Sequence, residues 1–71
     1  MDKLFSLIYD LGCRFNINVI VDEDQYILED YKDLNCYDRQ YIRVEIFECL
    51  NDNKIAINSI CIDNTDLIIK L

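Results

Sequence analysis

Residues 40–62 read QYIRVEIFECLNDNKIAINSICI. Ile42, Val44 and Ile46 alternate with Arg43 and Glu45, the period-2 pattern of a half-buried strand. Asn51-Asp52-Asn53 follows, and both residue types tolerate the left-handed conformations of tight turns. Ile55 and Ile57 then alternate with Ala56 and Asn58, after which the phase moves to Ile60 and Ile62. A phase change inside a strand predicts a bulge near Asn58-Ser59. On this reading residues 40–50 and 54–62 form an antiparallel hairpin, and the chain is organised around a sheet.

Downstream, Asp63-Asn64-Thr65 reads as a second turn and Leu67–Leu71 as a last short strand, so continuously apolar that it should be internal or covered. Upstream, the β-branched run Ile17–Val21 is a strand ended by Asp22-Glu23-Asp24-Gln25. Residues 26–34 fit two patterns. As a helix capped by Asp24, they place Ile27, Leu28, Tyr31 and Leu34 on one face, with Glu29 and Asp33 repelling each other four residues apart. As a strand, Tyr26-Ile27-Leu28 pairs back on residues 17–21. The β-formers directly after the turn favour the strand, and Asp33 to Arg39 then becomes a polar loop. At the start of the chain, Leu4, Ile8, Leu11 and Phe15 recur at helical spacing, with Phe5 widening the stripe. This predicts an amphipathic helix over 3–15, capped by Asp2 and closed by a left-handed Asn16.

The expected architecture is α+β in two layers: one N-terminal helix on a mainly antiparallel sheet of four to five strands, paired in sequence order. At 71 residues and 8.5 kDa the chain is one domain, 1–71. Its hydrophobic fraction of 52% argues against disorder despite a net charge of −7. So apolar a small chain has surface to bury against a partner or, as a homodimer, against its own copy. With a single Gly and no Pro, the turns fall to Asn and Asp.

Little chemistry is on offer. There is no His and so no ordinary general base near neutrality; Ser6 and Ser59 lie in no nucleophile motif. The chain reads as a non-enzyme without a cofactor. Cys13, Cys36, Cys49 and Cys61 form no closely spaced pair, so no zinc site is expected. Cys13, Cys49 and Cys61 read as small core residues, and Cys36 as exposed. An EF-hand loop counted from Asp22 would put Ile27 where Gly is required and Asp33 at its last position, so no calcium loop is read there. The first residues carry neither the basic region nor the apolar length of a signal sequence, and no run approaches a membrane span. The expectation is a cytoplasmic protein with reduced thiols. Seven basic residues, scattered and outnumbered two to one by 14 acids, make no patch for direct nucleic-acid binding.

What stands out is charge asymmetry. Between residues 22 and 38 lie Asp22, Glu23, Asp24, Glu29, Asp30, Asp33 and Asp38; these seven acids against Lys32 alone leave a local charge of −6. Tyr26, Tyr31 and Tyr37 interleave with them and Tyr41 borders them; tyrosine gives large contact area and a polar tip. These ten residues, without Tyr41, are the candidate partner-binding set. A carboxylate surface with tyrosine anchors fits a basic groove in a protein that normally holds nucleic acid, with carboxylates standing where phosphates would. The competing reading is a solvated face that keeps a small apolar domain in solution, with tyrosines chosen for strand propensity.

In size and composition the chain resembles the small acidic proteins of phages and mobile elements, anti-CRISPR and other anti-defence proteins among them, some of which are nucleic-acid mimics. The resemblance is one of type; no motif carries it and no residue role is transferred. It implies an inhibitor of a nucleic-acid-processing enzyme. An antitoxin or immunity protein would use the same physics against a cognate toxin. An accessory subunit would instead bind through an apolar sheet face.

Overall fold

The computed structural model describes residues 3–71. Helix α1 spans Lys3–Phe15, strand β1 Val19–Val21 and strand β2 Gln25–Leu28. A single 3-10 turn, Tyr31–Asp33, leads into helix α2, Cys36–Asp52. Strands β3, Ser59–Asp63, and β4, Asp66–Lys70, complete an antiparallel sheet in the order β1-β2-β4-β3. Both helices cover one face, giving the expected α+β fold with the N-terminal helix packed on the sheet. The expected Asp2 cap lies outside the described residues.

Helix α1 follows the spacing of its apolar residues: Leu4, Ile8 and Leu11 are buried. Asn16 closes it at φ 54 while the Ile17 N–H donates to the Gly12 carbonyl at 3.0 Å. Gly12 lets β1 approach the helix closely, since a Cβ there would lie 2.6 Å from Val19 Cγ2. The first hairpin forms as read, with Val19 opposite Leu28 and Val21 opposite Tyr26.

The decisive stretch folds differently from its expectation. Residues 40–50 are not a strand but the body of α2, and the expected polar loop over Asp33 to Arg39 contains the helix start. Three physical reasons account for this. Asn35 caps the helix: its side-chain oxygen accepts from the Asp38 N–H at 2.8 Å, while its Nδ2 donates to the Asp38 carboxylate at 3.2 Å. Ile42, Ile46 and Leu50 satisfy both periods, being two strand repeats or one helical turn apart, but Cys49 continues only the helical stripe. An eleven-residue strand would also exceed the usual length of about 5–6.

The expected turn Asn51-Asp52-Asn53 is instead the helix C-terminus. Lys54 adopts φ 53, its N–H donates to the Asn51 carbonyl at 3.3 Å, and the Ile55 N–H reaches the Leu50 carbonyl at 2.9 Å. This is a Schellman closure with a lysine where glycine is usual. Ile55 and Ile57 then pack on the core outside any strand, so the change of phase near Asn58 marks the start of β3 rather than a bulge.

Because α2 crosses between β2 and the last hairpin, strand order departs from sequence order. β4 lies between β2 and β3 and is internal, as its apolar run predicts. The core comprises Leu4, Ile8, Leu11, Leu28, Ile42, Ile46, Leu67 and Ile69, together with Tyr26 and Tyr31.

Candidate functional site

The sheet has one covered and one open face, and the strand register sorts every residue between them. Side chains opposite one another in antiparallel strands share a face. Tyr26 and Leu28 therefore join Ile69 and Leu67 under the helices. On the other face Ile20, Ile27, Ile68 and Cys61 are direct cross-strand partners in sequence across all four strands. At about 4.8 Å between strands this apolar row is roughly 14 Å wide. Ile20 is 40% exposed and Cys61 is exposed, and neither Ile27 nor Ile68 packs on the core. Among the described residues no element covers the row.

Two acidic groups flank it. At one end the turn Asp22-Glu23-Asp24-Gln25 is closed by the Asp22 N–H on the Gln25 carbonyl at 2.9 Å, and its three acids are exposed. At the other end Glu29 and Asp66 lie on the open face beside Asp63, which is paired directly with Asp66. Glu29 accepts from Asn18 Nδ2 at 2.7 Å. Asp30, left-handed at φ 59, donates its N–H to Asp66 Oδ1 at 3.0 Å, and Thr65 Oγ1 donates to the same oxygen at 3.2 Å. These bonds fasten the 3-10 turn to the last hairpin and leave Asp66 a structural acceptor as well as a surface charge.

The sequence-predicted set is thus divided. Asp22, Glu23 and Asp24 stand at one pole and Glu29, Asp30 and Asp33 around the other, separated by the length of β2. Asp38 is half-buried in the first turn of α2, engaged with Asn35. The tyrosines need correction. Tyr26 and Tyr31 are only 5% and 3% exposed, so they are core residues and not surface anchors. Period-2 burial of β2 directs Tyr26 inward, and the Tyr31 hydroxyl donates to the Arg39 carbonyl at 3.0 Å. Tyr37, 83% exposed, is the one that stands free at the surface. Tyr41 lies beneath the Arg14 guanidinium at 4.8 Å, and its hydroxyl accepts from Arg14 Nη1 at 2.7 Å.

Asp63, Asp66 and the open-face isoleucines escaped the sequence reading. Their signal was pairing: only register tells which alternate residues of β3 and β4 face away from the helices. Cys13 and Cys61 are exposed rather than core, while Cys49 is half-buried and Cys36 exposed as expected. Among the described residues no group of His, Cys, Asp or Glu is arranged to hold a metal ion, and no helix is long and apolar enough to cross a membrane.

Compared with known proteins, the chain matches no family model, no curated protein sequence and no solved structure.

Proposed function

We propose that this protein is a non-enzymatic, cytoplasmic inhibitor that binds a basic surface of another protein through its open sheet face. The observation that carries this reading is the open-face row of exposed Ile20 and Cys61 with half-buried Ile27 and Ile68 between them, and carboxylates at both ends. Protein interfaces combine a desolvated apolar centre with a polar rim, and here the rim carries carboxylates at both ends, with Lys70 as a basic residue on the same face beside Gln25 and Ser59. The complementary partner has an apolar ridge flanked by Lys and Arg. A nucleic-acid-processing enzyme has such flanks, with Asp22, Glu23 and Asp24 at one pole and Glu29, Asp63 and Asp66 at the other standing where phosphates sit. An anti-defence protein of phage or mobile-element type, such as an anti-CRISPR, fits this role. A net charge of −7 opposes the homodimer as the use of this face.

A second reading, an accessory subunit, is favoured by the same apolar row, and salt separates the two. The test starts from partners co-purified from the host and identified by mass spectrometry. Each purified partner is then assayed for kinetics and for displacement of its nucleic acid. Association should slow as salt rises from 0.05 to about 0.5 M. Ile20→Lys should weaken binding at least tenfold, as should Glu29→Lys with Asp63→Lys, while circular dichroism stays unchanged. Binding that ignores salt and leaves nucleic acid in place supports the accessory subunit. Unchanged kinetics in both variants would remove the open face from the function altogether.

A further inference from the structure

A groove lies between the N-terminal half of α2, the 3-10 turn and the outer strand β3, on the helix side of the molecule. It encloses about 240 Å³ and is lined by Lys32, Cys36, Arg39, Gln40, Arg43 and Ile62. Three of the seven basic residues of an acidic chain therefore converge on one concavity. Among the described residues none of the three is in an ion pair, although the chain carries 14 carboxylates. Arg39 Nε is buried and has no hydrogen-bond partner. A buried donor without an acceptor is costly, more so when charged, and native structures rarely leave one unexplained. The Tyr31 hydroxyl at the same place donates to the Arg39 carbonyl at 3.0 Å and makes no bond to Arg39 Nε.

We propose that this groove is an anion site for the phosphate of a small organic phosphate. The charge argues for phosphate over carboxylate: Lys32, Arg39 and Arg43 bring a formal +3, which a dianion neutralises better than a monoanion. Guanidinium donors also match phosphate oxygens in a bidentate fork. The volume argues for a small ligand, being below the roughly 300–1,000 Å³ of drug-sized pockets. The rest of the surface argues against a polymer. With a net charge of −7, removing these three positive charges leaves −10 elsewhere, which repels a long polyanion. Ile62, 45% exposed at the edge of the groove, offers an apolar contact to the organic part of the ligand.

The test uses the full chain, labelled with 15N and titrated with inorganic phosphate and with glycerol 3-phosphate, each against chloride at matched ionic strength. Saturable amide shifts confined to Lys32 and Cys36 to Arg43 are expected, with glycerol 3-phosphate at least threefold tighter. Lys32→Gln and Arg43→Gln, both exposed positions, should each weaken binding about tenfold with the spectrum otherwise intact. Arg39→Gln should abolish saturation, and the two exposed variants keep the test open if Arg39→Gln fails to fold. Linear shifts spread over Lys3, Lys54 and Lys70 would indicate screening alone and overturn the site. So would affinities unchanged in Lys32→Gln and Arg43→Gln. Inorganic phosphate bound as tightly as the ester would overturn the assignment to an organic phosphate.

Discussion

Gly12→Ala sets two effects of similar size against each other, and the geometry decides between them. In a helix interior, replacing glycine by alanine stabilises by about 1 kcal/mol. At this position the new methyl would lie 2.6 Å from Val19 Cγ2 and 3.2 Å from the Ile17 carbonyl oxygen. Both distances are inside the roughly 3.5–4.0 Å of a relaxed contact. Neither neighbour yields easily. Val19 is β-branched and stiff at χ1, and its Cβ lies only 3.6 Å away. The Ile17 oxygen belongs to a backbone whose own N–H is bonded to Gly12 at 3.0 Å. Overpacking of this kind costs about 1–3 kcal/mol, so the net expectation is a loss of about 1 kcal/mol. In a domain of this size that lowers Tm by about 4–8 °C. Urea unfolding followed by circular dichroism measures it, with an unchanged m-value as the check on two-state behaviour. A second variant isolates the cause. Val19→Ala removes the clashing atom, so Gly12→Ala should cost less in that background, a coupling of about 1 kcal/mol. A Gly12→Ala protein as stable as the parent, or more stable, would refute the close approach of α1 and β1.

Lys54→Gly should stabilise by about 1 kcal/mol, because Lys54 holds φ 53 at the end of α2 and only glycine does so without strain; thermal unfolding reads the gain. The Tyr31 phenol has its pKa raised above 10.0 by burial, a shift partly opposed by Arg43 and Arg39. The unfolded chain therefore loses this proton first. The stabilisation is complete below pH 10 and declines as pH rises from there towards the folded-state pKa. Urea midpoints between pH 9 and 11 should fall, and Tyr31→Phe should flatten that fall while losing the bond to Arg39. With a thiol reagent under native conditions, Cys13, Cys36 and Cys61 should label quickly. Cys49, half-buried with its sulfur 3.7 Å from Asn53 Nδ2, should label slowly, and four equal rates would contradict the packing of α2.

The first helix was legible because Leu4, Ile8 and Leu11 fit only a helix. Residues 26–34 fitted both a helix and a strand, and the β-formers directly after the polar turn Asp22–Gln25 favoured the hairpin that forms. Residues 40–50 carried two periods at once. Ile42 and Ile46 sit four apart, which a strand and a helix both accept, and Val44 tipped the reading towards a strand because it is apolar. In the helix Val44 and Phe47 are exposed on the outer side, so the residues that misled are those whose burial the fold forgoes. The capping pair Asn35 and Asp38 was visible in the sequence and would have corrected it. The candidate site was legible as charge but not as shape. Acidity between residues 22 and 38 follows from counting, whereas β2 runs through the middle of that segment and sends its two halves to opposite ends of the sheet. Asp63 and Asp66 reach the second pole through pairing of strands more than 30 residues apart in sequence from Glu29, which no local pattern encodes.

This division of charge constrains the mimicry proposed above. A surface imitating a nucleic-acid backbone by charge alone needs carboxylates in an unbroken series, since duplex DNA presents one charge per about 1.7 Å of axis. Here the four residues of β2, at about 3.3 Å each, separate the Asp22–Asp24 turn from Glu29 by more than 13 Å, and isoleucines fill the interval. At physiological salt, screening acts over about 8 Å, so the fields of the two poles are screened from each other. For the basic partner proposed above, the two poles should therefore contribute additively to the logarithm of the association rate. Asp22, Glu23 and Asp24 reversed to Lys form one variant, Glu29 and Asp63 the other, and their combination completes a cycle. Surface plasmon resonance on the purified partner at about 0.15 M salt measures all four association rates. Additivity within about 0.5 kcal/mol is expected for sites this far apart. Apart from the rates, the apolar row should govern dissociation, so Ile20→Lys should shorten the lifetime of the complex more than it slows encounter. A coupling well beyond 0.5 kcal/mol between the poles would mean that the partner reads them as one continuous acidic surface. The apolar row would then lie outside the contact.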